Sequence, residues 1–530
     1  MKKEILTLMC FLPLFASAQK ETRKDWFNDD GAEEQVVGAS IDKTYENLIK
    51  GKTPNQIIVA VIDSGVDIEH EDLQGSIWVN DDEIPGNGID DDNNGYIDDI
   101  NGWSFISGPD EDVTYDNLEF TRVYKGLKSR FDQKTPKEIA KEQKKEYKRF
   151  LVMEKQFNDR LEKSKKELAE FEQIVNFYFF AKVQLTSALG ESFTLEDVKA
   201  FEPKDEMGEA IRDFMIYSLE EDFESQVEEG YEHYRNTLDF SYNLTYNSRA
   251  VVGDNPDDVS ERYYGSNRVE GPHAEHGTHV AGIIAAQRGN GIGMDGVCAT
   301  AKIMVLRAVP NGDERDKDIA NAIRYAADNG AQIINMSFGK SYSPDKAQVD
   351  KAVAYAEAKN ILFVHAAGNS SKNNDKANNF PNPVNEETRE LCATWIEVGA
   401  NEPLTTALVA PFSNYGKKSV DIFAPGVDIY STIPNNEYKK NSGTSMAAPV
   451  VAGVAALLMS YYPKLSAKDV RTIIVNSYSW YGKRKVILPS SNSDKQKEVK
   501  FKKLSRSGGV VNAFNAFKMA EEFQQNQGKR

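Results

Sequence analysis

The run Asn441-Ser442-Gly443-Thr444-Ser445-Met446-Ala447-Ala448-Pro449 sets a serine at the start of a small-residue helix, read from Ala447 to Leu458. Pro449 suits such a helix only in its first turn, where a missing N–H has no intrahelical partner to lose. The Ser445 hydroxyl therefore falls among unpaired helix N–H groups that favour negative charge. A serine there is a cap or a nucleophile. A nucleophile needs a base to take its proton and an acid to orient that base. Asp63 follows the apolar run Ile57-Ile58-Val59-Ala60-Val61-Ile62, and His276 opens an apolar helix in His276-Gly277-Thr278-His279-Val280-Ala281-Gly282. Asp, His and Ser in that chain order are one known solution.

Those three segments, Asp63-Ser64-Gly65, His276-Gly277-Thr278-His279 and Gly443 to Pro449, resemble the signatures of the subtilisin-like serine proteases, or subtilases. Ala366-Ala367-Gly368-Asn369, after the apolar run Ile361 to Val364, resembles that family's oxyanion segment. The resemblance spans roughly residues 56–105 and 250–480. It implies that Asp63 orients the imidazole, His276 is general base and then acid, and Ser445 is the nucleophile. The Asn369 amide and the Ser445 N–H would hold the oxyanion. Ser337-Phe338-Gly339 resembles the segment along which subtilases pair an extended peptide. The implied activity is endopeptidase cleavage of protein or peptide substrates through an acyl-enzyme. The competing reading is a catalytically silent subtilase-fold module that binds or assembles. A non-protease serine hydrolase is disfavoured, because the Ser445 segment lacks the Gly-x-Ser-x-Gly elbow of the α/β hydrolases. His279, three residues past His276, reads as a packed helix residue. His365 reads as a cleft-lining residue without chemistry, and His273 as solvated.

The positioning elements alternate. Lys302 to Leu306, Ile333 to Ser337 and Ile361 to Val364 read as strands, and Lys317 to Asn329 and Asp350 to Lys359 as helices. That pattern predicts an α/β fold, a doubly wound parallel sheet, with Asp63 at the C-terminal mouth of its strand. Phe423-Ala424-Pro425-Gly426 reads as a turn. The spacing departs from the family, since 213 residues separate Asp63 from His276. Residues 56–109 and 250–530 are therefore expected to form a split catalytic domain, with a mainly helical insertion over 110–249.

Within the insertion, Thr135-Pro136-Lys137-Glu138 reads as a capping box at a helix start. Tyr147, Phe150, Phe157, Leu161, Leu168, Phe171, Val175 and Tyr178 form a heptad-like seam, with Glu154 and Ser164 as interruptions. Thr194-Leu195-Glu196-Asp197 offers another helix start, and Met207 to Tyr231 a further amphipathic stretch. The expected form is an antiparallel hairpin or bundle.

Between strand and insertion, Asp90, Asp92, Asn94, the turn at Gly95, the Tyr96 carbonyl and Asp98 follow the spacing of a calcium loop. Asn101 stands where a full EF-hand has its bidentate glutamate. Like charges so crowded repel unless a cation neutralises them, so structural calcium (Ca2+) is expected.

A net charge of −18 over 530 residues argues against nucleic-acid or anionic-membrane binding. Met1 to Ala18 reads as a secretory signal peptide cleaved after Ala18, predicting a secreted or periplasmic product. Residues 19–55 form a lead segment, too short for the folding propeptide that subtilases usually carry. No later stretch reads as a transmembrane segment. Cys298 and Cys392 could pair or stay free.

Overall fold

The computed structural model describes residues 23–30, 36–490 and 496–527; the expected leader, 1–18, lies outside them. The chain divides into two compact units, one of Thr22–Glu119 with Asn247–Arg530 and one containing Phe120–Tyr246.

The larger unit is built on seven parallel strands. They are β1 (Ile57–Asp63), β2 (Gly102–Ser104), β3 (Ala301–Arg307), β4 (Ile333–Met336), β5 (Leu362–Ala366), β6 (Trp395–Asn401) and β7 (Ile422–Pro425), ordered 2-3-1-4-5-6-7. Gly509–Val510 extends the sheet beside β7, and Ser479–Trp480 closes that edge antiparallel. The strands are almost wholly apolar because both faces are covered. Along β1, Val59 and Val61 face one core with the helices that carry His276 and Ser445. Ala60 and Ile62 face the other, with helices Asp316–Asp328 and Lys346–Ala358. Strand order reverses where β1 meets β4, and ligands of such sheets collect there, beyond the strand C-termini.

Several expectations need correction. Ile422–Pro425 is a strand rather than a turn, with Pro425 as its last residue, where a missing N–H costs the ladder least. The lead segment is part of the core of the larger unit: Trp26, Phe27, Ile41 and Ile49 are buried in it, and the Val37 N–H donates to the Pro403 carbonyl. Residues 110–119 pack there too, through Asp112 on Arg307 and Asp116 on Arg315. Cys298 and Cys392 are free, buried on opposite faces of the sheet. Among the described residues one helix is long and apolar enough to cross a membrane, Thr444–Tyr461, and it is the buried helix that carries Ser445.

The inserted unit is organised along one 46-residue helix, Lys144–Leu189. Helices Leu195–Ala200, Glu206–Glu220 and Phe223–Asn236 return along it, and a helix not foreseen, Glu119–Phe131, lies at its other end. Of the two expected forms, hairpin or bundle, the insertion takes the bundle. The Thr135 box forms, with the Thr135 N–H and hydroxyl both on Glu138, but it closes only a turn and the long helix starts nine residues later. Ser164, read as an interruption, is buried in the seam, whereas Leu161, Leu168 and Phe171 are half-buried. The Thr194–Asp197 capping box forms as read.

Candidate active site

Asp63 ends β1 with its side chain 2% exposed, and Oδ1 accepts from the Ser64 N–H at 2.8 Å. The same oxygen lies 2.7 Å from His276 Nδ1. His276 is the second residue of helix Glu275–Ala285, whose buried face, Gly277 to Ala285, seats it against the sheet. Gly277 permits that seat: a Cβ there would stand 2.0 Å from the Gly65 carbonyl oxygen and 3.2 Å from Asp63 Cβ. Partial enclosure lowers the proton affinity of the imidazole. The charge and hydrogen bond of Asp63, helped by Glu275, outweigh this and hold its pKa above the usual histidine value.

Ser445 is the second residue of helix Thr444–Tyr461. Pro449 therefore sits in the second turn, not the first as the sequence suggested. The missing Pro449 N–H would have served the Ser445 carbonyl. That carbonyl instead accepts from Ser337 Oγ at 2.9 Å, and Ser445 Oγ donates to the Ser337 carbonyl at 2.9 Å. The proline thus frees an acceptor that ties the Ser445 turn to the end of β4.

Asn369 follows β5. Its Oδ1 accepts from both the N–H and the hydroxyl of Thr444, each at 2.9 Å. With the oxygen held, the NH2 end is the part left to donate. Gly443 makes room for it, because a Cβ there would approach Asn369 Nδ2 to 3.2 Å.

Asp63, His276, Asn369 and Ser445 border one cleft of about 540 Å³, together with Ser337 and Phe338. Gly339 lies one residue beyond the lining, on the exposed continuation of that segment. Three histidines separate. His273, expected in solvent, lines the cleft and packs edge-on against Tyr115. His279 is buried, with Nε2 3.1 Å from the Lys439 carbonyl oxygen, and burial pushes its pKa down to about 4. His365 is not on the cleft; it is fully buried, with Nδ1 2.9 Å from Glu397. Sequence reading also missed the opposite wall, Val309, Pro310 and Asn311, and Arg307. Arg307, buried beside Asp63 in the β1–β3 register, donates to the Ser64 and Val113 carbonyls and to Asp112. No local motif marks such a residue.

The acidic loop assembles differently from its spacing. Carboxylate oxygens of Glu83, Asp90 and Asp92 all lie within 4.8 Å of one another. Asp98 is turned away, accepting from the N–H groups of Gly86, Asn87 and Gly88. The Asn94 oxygen accepts from the Tyr96 N–H, and its amide donates to Asp92 and Asp99. The Tyr96 ring packs on Trp103 and Tyr325, which leaves the role expected of its carbonyl untouched. Glu83, absent from the sequence-based set, is buried; desolvation, with Asp99 and Asp92 nearby, raises its pKa. Three converging carboxylates, one buried, fit a hard cation with oxygen ligands.

Residues 54–510 match the model of the Peptidase_S8 subtilase family. The chain is 46% identical over 186 residues to a thermophilic serine proteinase of Bacillus sp. (strain AK1), a match covering 35% of this chain and 42% of that protein. It is 37% identical over 218 residues to a cell wall-associated protease of Bacillus subtilis (strain 168), covering 41% and 22%. It is 39% identical over 203 residues to thermitase of Thermoactinomyces vulgaris, covering 38% and 66%. The matched stretch thus spans less than half the length of the first two relatives.

Proposed function

Because this chain belongs to the subtilase family, we propose that it is an exported serine endopeptidase whose triad is Asp63, His276 and Ser445. The observation that carries the reading is the convergence of an Asp63-bound His276, Ser445 and Asn369 on one cleft. Ser445 Oγ turns from the Ser337 carbonyl to His276 when a peptide enters; such bonds are often loose before substrate binds. Its proton passes to His276 Nε2 as Oγ attacks the scissile carbonyl. The oxyanion takes hydrogen bonds from Asn369 Nδ2 and the Ser445 N–H. His276 then protonates the leaving amine, and water, activated by the same imidazole, hydrolyses the acyl-enzyme. Asp63 holds the ring by Nδ1 and stabilises its charged form.

Fluorophosphonate labelling with casein hydrolysis tests this. The wild-type protein should label and cleave, and Ser445→Ala should do neither while keeping its melting temperature. His276→Ala should lose nearly as much as Ser445→Ala. Asn369→Ala should lose about 100- to 1000-fold in turnover, a magnitude carried over from subtilisin. An unlabelled but folded wild-type protein would favour the silent module.

Residues 1–18 would direct export, and an N-terminus at Gln19 in the mature protein is the expected sequencing result. The acidic loop would hold calcium through Glu83, Asp90 and Asp92. Calcium should then raise the melting temperature over that in chelator, since a ligand of the native state stabilises by mass action. Glu83→Gln should remove most of that difference; equal melting with calcium and chelator would sink the site.

A further inference from the structure

The cleft has two main-chain walls. One is Ser337–Phe338, continued by Gly339; the other is Val309–Asn311, from which the chain runs on to Glu314. The second wall is already paired on its outer side by the protein's own chain. The Asn311 N–H donates to the Thr114 carbonyl at 2.9 Å, the Asp116 N–H to the Asn311 carbonyl at 3.1 Å, and the Glu119 N–H to Asp313 at 2.8 Å.

Lys340 follows Gly339 directly and joins the segments that continue the two walls past the cleft lining. Its Nζ donates to the Glu314 carbonyl at 2.7 Å and lies 2.8 Å from both Glu119 Oε2 and Asp316 Oδ1. All three ammonium donors are thereby used. Its side chain is 2% exposed, and its own N–H and carbonyl pair with Phe380 at 2.9 Å each. An extended peptide adding to these walls needs their carbonyls and N–H groups unoccupied. Just past the lining residues the Glu314 acceptor is taken by the ammonium, and a buried side chain joins the two segments there. From Ser337, bonded to the nucleophile, to Lys340 is three residues, or about 10 Å of extended chain.

We propose that Lys340 closes this end of the cleft, so that the enzyme reads about three substrate residues N-terminal to the scissile bond by main-chain pairing and gains nothing from a fourth. The inference rests on the proteolytic reading and adds a limit to it. A buried ammonium held by two carboxylates is costly to displace, because either partner left alone would be an uncompensated buried charge.

The test takes a peptide that the enzyme cleaves, places alanine at the fourth to sixth positions before the scissile bond, and shortens it from the N-terminus one residue at a time. Wild-type kcat/KM should stay level, within about twofold, until the third residue is removed. It should then fall roughly threefold to tenfold per residue, the scale of a lost main-chain pair. A fall of that size on removing the fourth residue would overturn the proposal while leaving the protease reading intact. No cleavage of any peptide would overturn both. Lys340→Ala, and Lys340→Met with Glu119→Gln to leave one stranded carboxylate fewer, should each make rates respond to the fourth residue by roughly threefold to tenfold. If either variant folds and still ignores the fourth residue, Lys340 is not the stop. The wild-type series decides the matter should neither fold.

Discussion

In the unit built on the sheet, the Ser445 helix packs with many alanines and a glycine among its larger apolar residues; in the inserted unit, the long helix packs with a set of phenylalanine and tyrosine rings. The Ser445 helix buries Ala447, Ala448, Ala452, Gly453, Ala455 and Ala456. The long inserted helix buries Tyr147, Phe150, Phe157 and Tyr178, with Tyr124 stacked on Phe150 and on Phe157. Small residues let backbones approach closely, so a side chain at a helix start is placed by the sheet beneath it. Large rings span wide gaps and supply much apolar area per residue, but a ring can tilt to accommodate a neighbour. The first arrangement gives position, as a catalytic site requires; the second gives cohesion to a slender bundle with little interior.

The sharpest way to break that comparison is to empty one ring site in the insertion. Phe150 is 3% exposed and lies among Tyr124, Phe131 and Tyr147. Phe150→Ala should destabilise that unit by about 3–5 kcal/mol. Differential scanning calorimetry should show one transition moving down while a second stays fixed, and fluorophosphonate labelling should be retained. A single transition that moves as a whole would mean that the two units share one cooperative core.

The complementary substitution adds one methyl to the catalytic unit. Gly277→Ala would push the His276 helix away from Gly65 and Asp63, because its Cβ would stand 2.0 Å from a backbone oxygen. A displacement near 1 Å costs about 100-fold in rate. Peptidase kcat/KM should therefore fall at least that far, while Gly230→Ala, placed against the Phe171 ring at 2.3 Å, should leave activity unchanged as the ring tilts. Wild-type rates for Gly277→Ala would show that the close seat does not set the geometry.

How much of this could be read from the chain follows the same divide. Asp63, His276, Asn369 and Ser445 sit at strand and helix termini, where local motifs announce themselves, and the structure brings all four to one cleft. Pro449 was placed one turn early, because a proline in the second turn is tolerated only when another donor serves the carbonyl it frees. That donor, Ser337, comes from a distant strand. Arg307 and Lys340 stayed hidden for the same reason: each acts through partners far away in sequence. Glu83 stayed hidden because it lies just before the calcium-loop spacing and joins Asp90 and Asp92 only when the loop folds back. In the insertion the heptad spacing located the long helix. It missed Ser164 in the seam and the helix before it, because facing partners, not spacing, decide which residues are covered.

The next effect is smaller and specific to the site. Asp63 holds the His276 pKa above the ordinary histidine value near 6.5. Base catalysis needs the neutral ring, so kcat/KM should fall about tenfold per unit as pH drops below that raised pKa. The stability sign is opposite. A group whose pKa is higher folded than unfolded contributes fully below the unfolded value and loses that contribution as pH rises through the folded one. Between the two values activity should climb while this contribution to stability declines. Asp63→Asn should flatten both trends, and an unaltered pH profile in that variant would remove Asp63 from its role.

The smallest effect compares like with like. Each unit has one helix closed by a reciprocal capping box, Thr194 with Asp197 in the insertion and Ser466 with Asp469 in the catalytic unit. In both, the hydroxyl accepts from the third N–H of the helix while the carboxylate takes the N–H and hydroxyl of the cap residue. The local chemistry is the same, so Thr194→Ala and Ser466→Ala should lose similar local stability, seen as a drop of roughly 2–8 °C in one melting transition. What differs is which transition moves. Thr194→Ala should lower only the transition that Phe150→Ala lowers. Ser466→Ala should lower only the other, whose helix Ala467–Asn476 is anchored to β6 by the hydrogen bond from Arg471 to the Trp395 carbonyl. If both substitutions lowered both transitions together, the contrast between a positioned catalytic unit and a separately cohesive insertion would fail, and the two would have to be treated as one folding unit.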